Sequence, residues 1–178
     1  MKTNRNKNQH GFVLPVSMIF LIVMTMLAVT AIRKATMDEK IGGNLRAQES
    51  AFQAAEKGLR FCERSLDLAA GSTTMCQLRA GSTINVLTSQ DAYDDTNVMA
   101  NFPSKWKDKT VWTSGDVVTV SGTDELKGVA SQPQCLVERW PLPGRDQNSW
   151  PYVITARGVG SVDTAVVVLQ EVIRCGNY

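Results

Sequence analysis

Residues 12–32 read FVLPVSMIFLIVMTMLAVTAI, and the rest of the chain is organised around them. About 21 residues pass without a charge, which as a helix covers roughly 31 Å at ~1.5 Å per residue, the thickness of a bilayer core. Lys2, Arg5 and Lys7 precede the stretch, Gly11 marks its start, and Arg33 and Lys34 close it. Basic residues ahead of an apolar segment hold that end in the cytoplasm, so the chain beyond the segment is exported.

Outward from this stretch, the 178 residues leave room for one modest domain. The formal net charge is +2, and the three positive charges of the first eleven residues leave the remainder slightly acidic. No basic surface argues for nucleic acid. The single histidine, His10, precedes the apolar stretch, so a chain cut after it has none. That excludes Ser-His-Asp and Cys-His catalysis and the usual catalytic zinc sites, leaving carboxylates and lysines for any enzyme chemistry. Neither a cofactor motif nor a metal-ligand pattern is present. Asp91, Asp94 and Asp95 (DAYDDTN) lack the glycine and terminal glutamate of a calcium loop and read as turn residues.

The cysteines agree with export. Cys62, Cys76, Cys135 and Cys175 are even in number, widely spaced and free of CxxC pairs, which favours two structural disulfides over metal or redox chemistry. Of three possible pairings, Cys62–Cys76 with Cys135–Cys175 is the most economical, each within one local unit and worth ~3 kcal/mol on the chain-entropy estimate. Free thiols in a cytosolic domain are the alternative.

Three fates are open to the apolar segment. A secretory signal peptide would be cut near Val29-Thr30-Ala31, and a plain anchor would stay uncut. A cut on the cytoplasmic side, after Gly11, would keep the apolar stretch. Residues 33–68 contain no proline, and Leu45, Phe52, Ala55, Leu59, Cys62 and Leu66 recur at helical spacing. Arg46, Glu49, Glu56, Lys57, Arg60, Glu63 and Arg64 take the other side, with Glu56 and Arg60 as an i,i+4 pair. One helix is thus expected over residues 12–68, roughly 85 Å at ~1.5 Å per residue. Gly42 and Gly43 are its weak point, either a flexible place or a stop between two helices.

Residues 69–178 are expected to form the globular head. After a weakly periodic stretch over 69–108, strands are predicted within 109–120 (two short pieces around Ser114-Gly115) and over 135–140. Residues 152–159 and 164–174 form a hairpin across 160–163. A sheet with one apolar face needs a cover, and the stripe from Leu45 to Leu66 supplies it. Trp106, Trp112, Trp140 and Trp150 could anchor a partner, but more often such residues close a small core.

A basic leader ending in glycine, an aromatic-led apolar helix, and a helix running on into a C-terminal sheet together resemble the type IV pilin superfamily. Within it, residues 11–60, GFVLPVSMIFLIVMTMLAVTAIRKATMDEKIGGNLRAQESAFQAAEKGLR, resemble the PilX group of minor pilins, most specifically over IGGNLRAQESAFQAAEKGLR. The ending YVITARGVG…VVVLQEVIR is also pilin-like. The resemblance implies an α+β type IV pilin fold, with a long helix packed on an antiparallel sheet. It also implies that prepilin peptidase cuts after Gly11 and that the new N-terminus, Phe12, is N-methylated. The subunit would wait in the inner membrane with its head in the periplasm. It would then enter a pilus beside major and minor pilins by way of an inner-membrane assembly platform, with a large tip adhesin as a further partner.

One position departs from the family. Most pilins carry a glutamate five residues after the cut, where this chain has Val16. In the family that carboxylate is thought to meet the N-terminal amine of a neighbouring subunit, and without a partner it is costly at that depth. A subunit with nothing above it has no amine to meet, so the resemblance implies a place at or near the pilus tip. Glutamate-less minor pseudopilins of type II secretion systems share this trait and are the nearest alternative. A conventionally secreted or anchored periplasmic protein is the more distant one.

Overall fold

The computed structural model describes residues 12–67, 77–78, 82–88, 97–144 and 150–174. Helix α1 spans Val13–Glu63 without a break, so the expectation of one helix holds and its end falls five residues early. Gly42 and Gly43 are helical and meet no other group, which excludes a stop between two helices. Pro15 sits in the first turn, where a missing N–H costs nothing. The first α-helical hydrogen bond runs past it, from Val16 N–H to the Phe12 carbonyl.

The chain divides into two compact units, residues 1–44 and 45–178. Among the described residues the first unit is helix alone, long and apolar enough to cross a membrane by length and composition. Its side chains are exposed from Phe12 onward. The hydroxyls that interrupt the apolar surface, Ser17, Thr25 and Thr30, each donate to the carbonyl three residues back at 2.8 Å. Each of these hydroxyls is thus satisfied within the helix itself.

In the second unit α1 continues from Leu45 and packs on a five-stranded sheet. The strands are β3 (Val86–Thr88), β4 (Val118–Thr119), β5 (Gln134–Arg139), β6 (Tyr152–Val159) and β7 (Val166–Ile173). Their order is β3-β5-β6-β7, with β4 also pairing β5. Strands β5, β6 and β7 form an antiparallel meander rich in β-branched residues, and β6 pairs β7 over eight residues, from Tyr152–Ile173 to Val159–Val166. β3 runs parallel to β5, so the sheet is mixed, a topology that alternation along the sequence does not reveal. A separate two-stranded pair joins β1 (Leu66–Asp67) to β2 (Gln77–Leu78).

Two strand expectations change. Over 109–120 only Val118–Thr119 is a strand, while Val111–Thr113 forms a 3-10 turn. The sheet is also covered on both faces. On one face Leu59, Cys62 and Leu66 of the helix side meet Cys135, Val137, Ile154 and Ala156 in the main core. On the other, Leu136, Val153 and Thr155 are buried as well. Residues 97–113 lie over that second face. Gln134 Nε2 donates to the Trp112 carbonyl at 3.1 Å, the Arg157 guanidinium lies 5.9 Å from the Trp112 ring, and Trp140 Nε1 donates to the Val98 carbonyl at 3.1 Å. Trp106, Trp112 and Trp140 are half-buried around this second face, where the Trp112 Nε1–H donates to the Trp106 carbonyl and Trp140 meets Phe102 edge-on.

Candidate functional site

Two surfaces stand out, and the first is the exposed apolar helix. Phe12 is 80% exposed and Val16 46%, so the position where most pilins place a carboxylate carries an uncovered valine. Gly11, on the leader side of the expected cut, lies outside the described residues.

The second is the contact that fixes the later turns of α1 to the sheet. The helix face turned to the sheet is made of Ala47, Ala51, Ala54, Ala55 and Gly58, with Leu59 and Cys62 beyond them. Opposite lie Gly158 and Gly160. A Cβ on Gly158 would overlap the Ala55 backbone nitrogen and the Ala51 carbonyl oxygen, and one on Gly160 would overlap the Ala47 carbonyl oxygen. Backbone meets backbone here because no side chain stands between, the usual meaning of glycine inside a strand.

This corrects the expected stripe. Ala55, Leu59, Cys62 and Leu66 are buried as expected, but Leu45 is 61% exposed and Phe52 44%. The sheet comes too close for large side chains, which are turned outward. Hydropathy does not mark Gly158 or Gly160. The signal for them is Gly158 within YVITARGV and Gly160 just after it, facing small residues at helical spacing.

The disulfide is corrected too. Cys62 bonds Cys135, which excludes both Cys62–Cys76 and Cys135–Cys175. The link spans 73 residues and ties the last turn of α1 to the second residue of β5. Both cysteines are fully buried. Economy of loop length misjudges the pairing because Cys62 points from the buried helix face straight at the sheet. Cys76 and Cys175 lie outside the described residues, as do Asp91, Asp94 and Asp95.

Charge ties add to this grip. Gly122, with φ at 71°, opens the 3-10 turn Gly122–Asp124, which delivers Asp124 to the helix. Its carboxylate pairs with Lys57 at 2.8 Å and with Arg64 at 3.3 Å. Those hydrogen bonds, Lys57 first, hold the Asp124 carboxyl below the usual carboxylate range. A depressed pKa means the tie is present above the ordinary aspartate range and lost as pH falls through the lowered value. Arg60 pairs with Glu63 at 3.0 Å in place of the expected Glu56.

Among the described residues no group of three His, Cys, Asp or Glu side chains could hold a metal ion. What these elements offer is an exposed apolar helix and a small head clamped to its later turns.

Two family models match: PilX N-terminal over residues 10–60, and type IV pilus assembly protein PilX, C-terminal part, over residues 67–175. The chain belongs to the PilX family of type IV pilus assembly proteins. No curated protein and no solved structure matches it. The first PilX model begins just before Gly11 and ends at Arg60, three residues before α1 does. The second begins in β1 and runs past β7, so the two PilX models divide the chain close to the end of the helix.

Proposed function

We propose that this PilX-family chain is a minor pilin that helps prime pilus assembly and sits at or near the tip. It acts as a structural subunit and does no covalent chemistry. The observation that carries the proposal is a single helix whose residues 12–32 are apolar and exposed and whose later turns are buried in a head. A helix apolar on all sides suits lipid and a helix bundle equally, so moving from one to the other exchanges like solvents. Prepilin peptidase would cut between Gly11 and Phe12 and Phe12 would be N-methylated. Gly42 and Gly43, with open space around them, would let the helix adjust to its neighbours. Those neighbours would be major pilin, other minor pilins and a large tip adhesin.

N-terminal and intact-mass analysis of protein recovered from sheared filaments tests this directly. The expected species starts at Phe12 and carries about 14 Da for one methyl group. A chain starting near Ile32, or none in the filament fraction, overturns the proposal.

Tip placement has its own test in Val16→Glu. A carboxylate with no amine above it is left uncompensated, so piliation should be unchanged or reduced. More filaments per cell would count against a place at the tip.

A further inference from the structure

The second face of the sheet holds a carboxylate in a position that burial alone makes costly. Glu138 lies on β5 between Leu87 of β3 and Val153 of β6, and it is fully buried. Its Oε1 accepts the backbone N–H of Lys105 at 3.2 Å, at the start of the 3-10 turn Lys105–Lys107. Its Oε2 is buried with no hydrogen-bond partner, and the buried indole Nε1 of Trp106 is likewise unpartnered. A glutamate inside a strand and under a loop is an anchor by its first oxygen and a liability by its second. An ionised oxygen without a hydrogen-bond partner bears most of its desolvation cost, and nearby groups offset only part of it.

The charged groups around it do not neutralise it. The Lys105 ammonium is directed at the Thr88 carbonyl, 3.3 Å away, and Lys107 lies over the Trp106 ring at 5.7 Å. β3 contributes Val86, Leu87 and Thr88, none of which titrates. On β6 the charge on this face is Arg157, which bonds Gln134 and lies by Trp112. Within the covering segment Asp108 takes both the N–H and the hydroxyl of Thr110.

We infer that Glu138 is a proton-operated latch, which holds residues 97–113 on the sheet more firmly when it is protonated than when it is charged. Protonation removes the uncompensated charge while Oε1 keeps the Lys105 N–H. Burial pushes the Glu138 carboxyl above the ordinary range, against the smaller opposing pulls of the Lys105 N–H, the Lys105 charge and the Trp106 backbone N–H. A raised pKa gives stability that is complete below the unfolded-state value and is lost as pH rises through the folded one. Closure therefore strengthens as pH falls from neutral toward the ordinary glutamate range. Asp108 and Asp124 carry the opposite sign, since their hydrogen bonds hold both below the usual range, and they act only in stronger acid.

Hydrogen exchange on the full chain in detergent micelles reads this between about pH 5 and pH 7.5, above the ordinary aspartate and glutamate range. Rates are corrected for the chemical pH dependence of exchange. One linked proton changes the opening equilibrium by up to about tenfold per pH unit. Amides 104–107 should gain protection on acidification, up to that limit, while the β6 amides change little. In Glu138→Gln, which keeps an acceptor for Lys105, the pH dependence should vanish. A flat wild-type profile overturns the latch, as does a slope retained by E138Q or shared equally by β6. The wild-type profile decides even if the variant fails to fold.

Discussion

Gly158→Ala should be among the most damaging single-atom additions possible in this chain. The new Cβ would overlap the Ala55 nitrogen and the Ala51 carbonyl oxygen and stand 2.8 Å from the Ala55 Cα. A flexible side chain could swing aside, but a helix backbone cannot. Either α1 lifts off the sheet or β6 distorts. Overpacking typically costs 1–3 kcal/mol and occasionally more, and a clash with backbone puts this change at about 3 kcal/mol or above. For a head of this size the melting temperature should fall on the order of 10 °C. Gly42→Ala is the control, because no atom outside its own helix lies near its Cβ. It should leave the head intact and favour the helix by up to ~1 kcal/mol. Thermal melting of the full chain in detergent, followed by circular dichroism, compares the two. Equal melting temperatures would mean that the helix does not sit against the sheet at Gly158.

Loss of the Cys62–Cys135 bond should be comparably severe. Closing a loop across 73 residues removes much of the freedom of the unfolded chain, worth about 4 kcal/mol on the chain-entropy estimate. The bond ends in the main core beside Leu59, Val137 and Ala156, so cutting it also leaves two buried sulfurs in a packed space. Cys62→Ala paired with Cys135→Ala should lower the melting temperature on the order of 15 °C under oxidising conditions. Each single variant should fall at least as far, because an unpaired thiol remains that can form the wrong disulfide. Peptide mapping without reduction supplies the independent check, with Cys62 and Cys135 expected in one linked peptide. Recovery of Cys62 linked to Cys76 would overturn the pairing. Under the proposed function, Gly158→Ala and the cysteine variants should reach the membrane and fail to enter filaments.

Much of this molecule is legible residue by residue. A run of 21 or so uncharged residues with basic residues before it needs no tertiary context to be read as a membrane segment. The absence of proline from residues 33–68 carries the helix onward, and α1 indeed reaches Glu63. Alternating β-branched residues place β6 at Tyr152–Val159 and nearly place β7 at Val166–Ile173. These are local signals, written in side-chain size, charge and period, so the chain carries them wherever it folds.

Contacts between distant segments are decided elsewhere. Leu45 and Phe52 have the right spacing and hydropathy for a buried stripe, yet the surface that packs is alanine and glycine, which carry almost no hydropathic signal. What selects them is the distance at which β6 approaches, and that distance is a property of two elements together. Cys62 could have bonded any of three cysteines, and only the helix orientation over β5 brings Cys135 within reach. Glu138 is a charged residue in the predicted strand over 135–140, and residues 97–113, folded across the second face, bury it. Periodicity tells which residues share a face. Which face meets which neighbour, and how closely, depends on the shape of the space between them, and that exists only once the chain has folded.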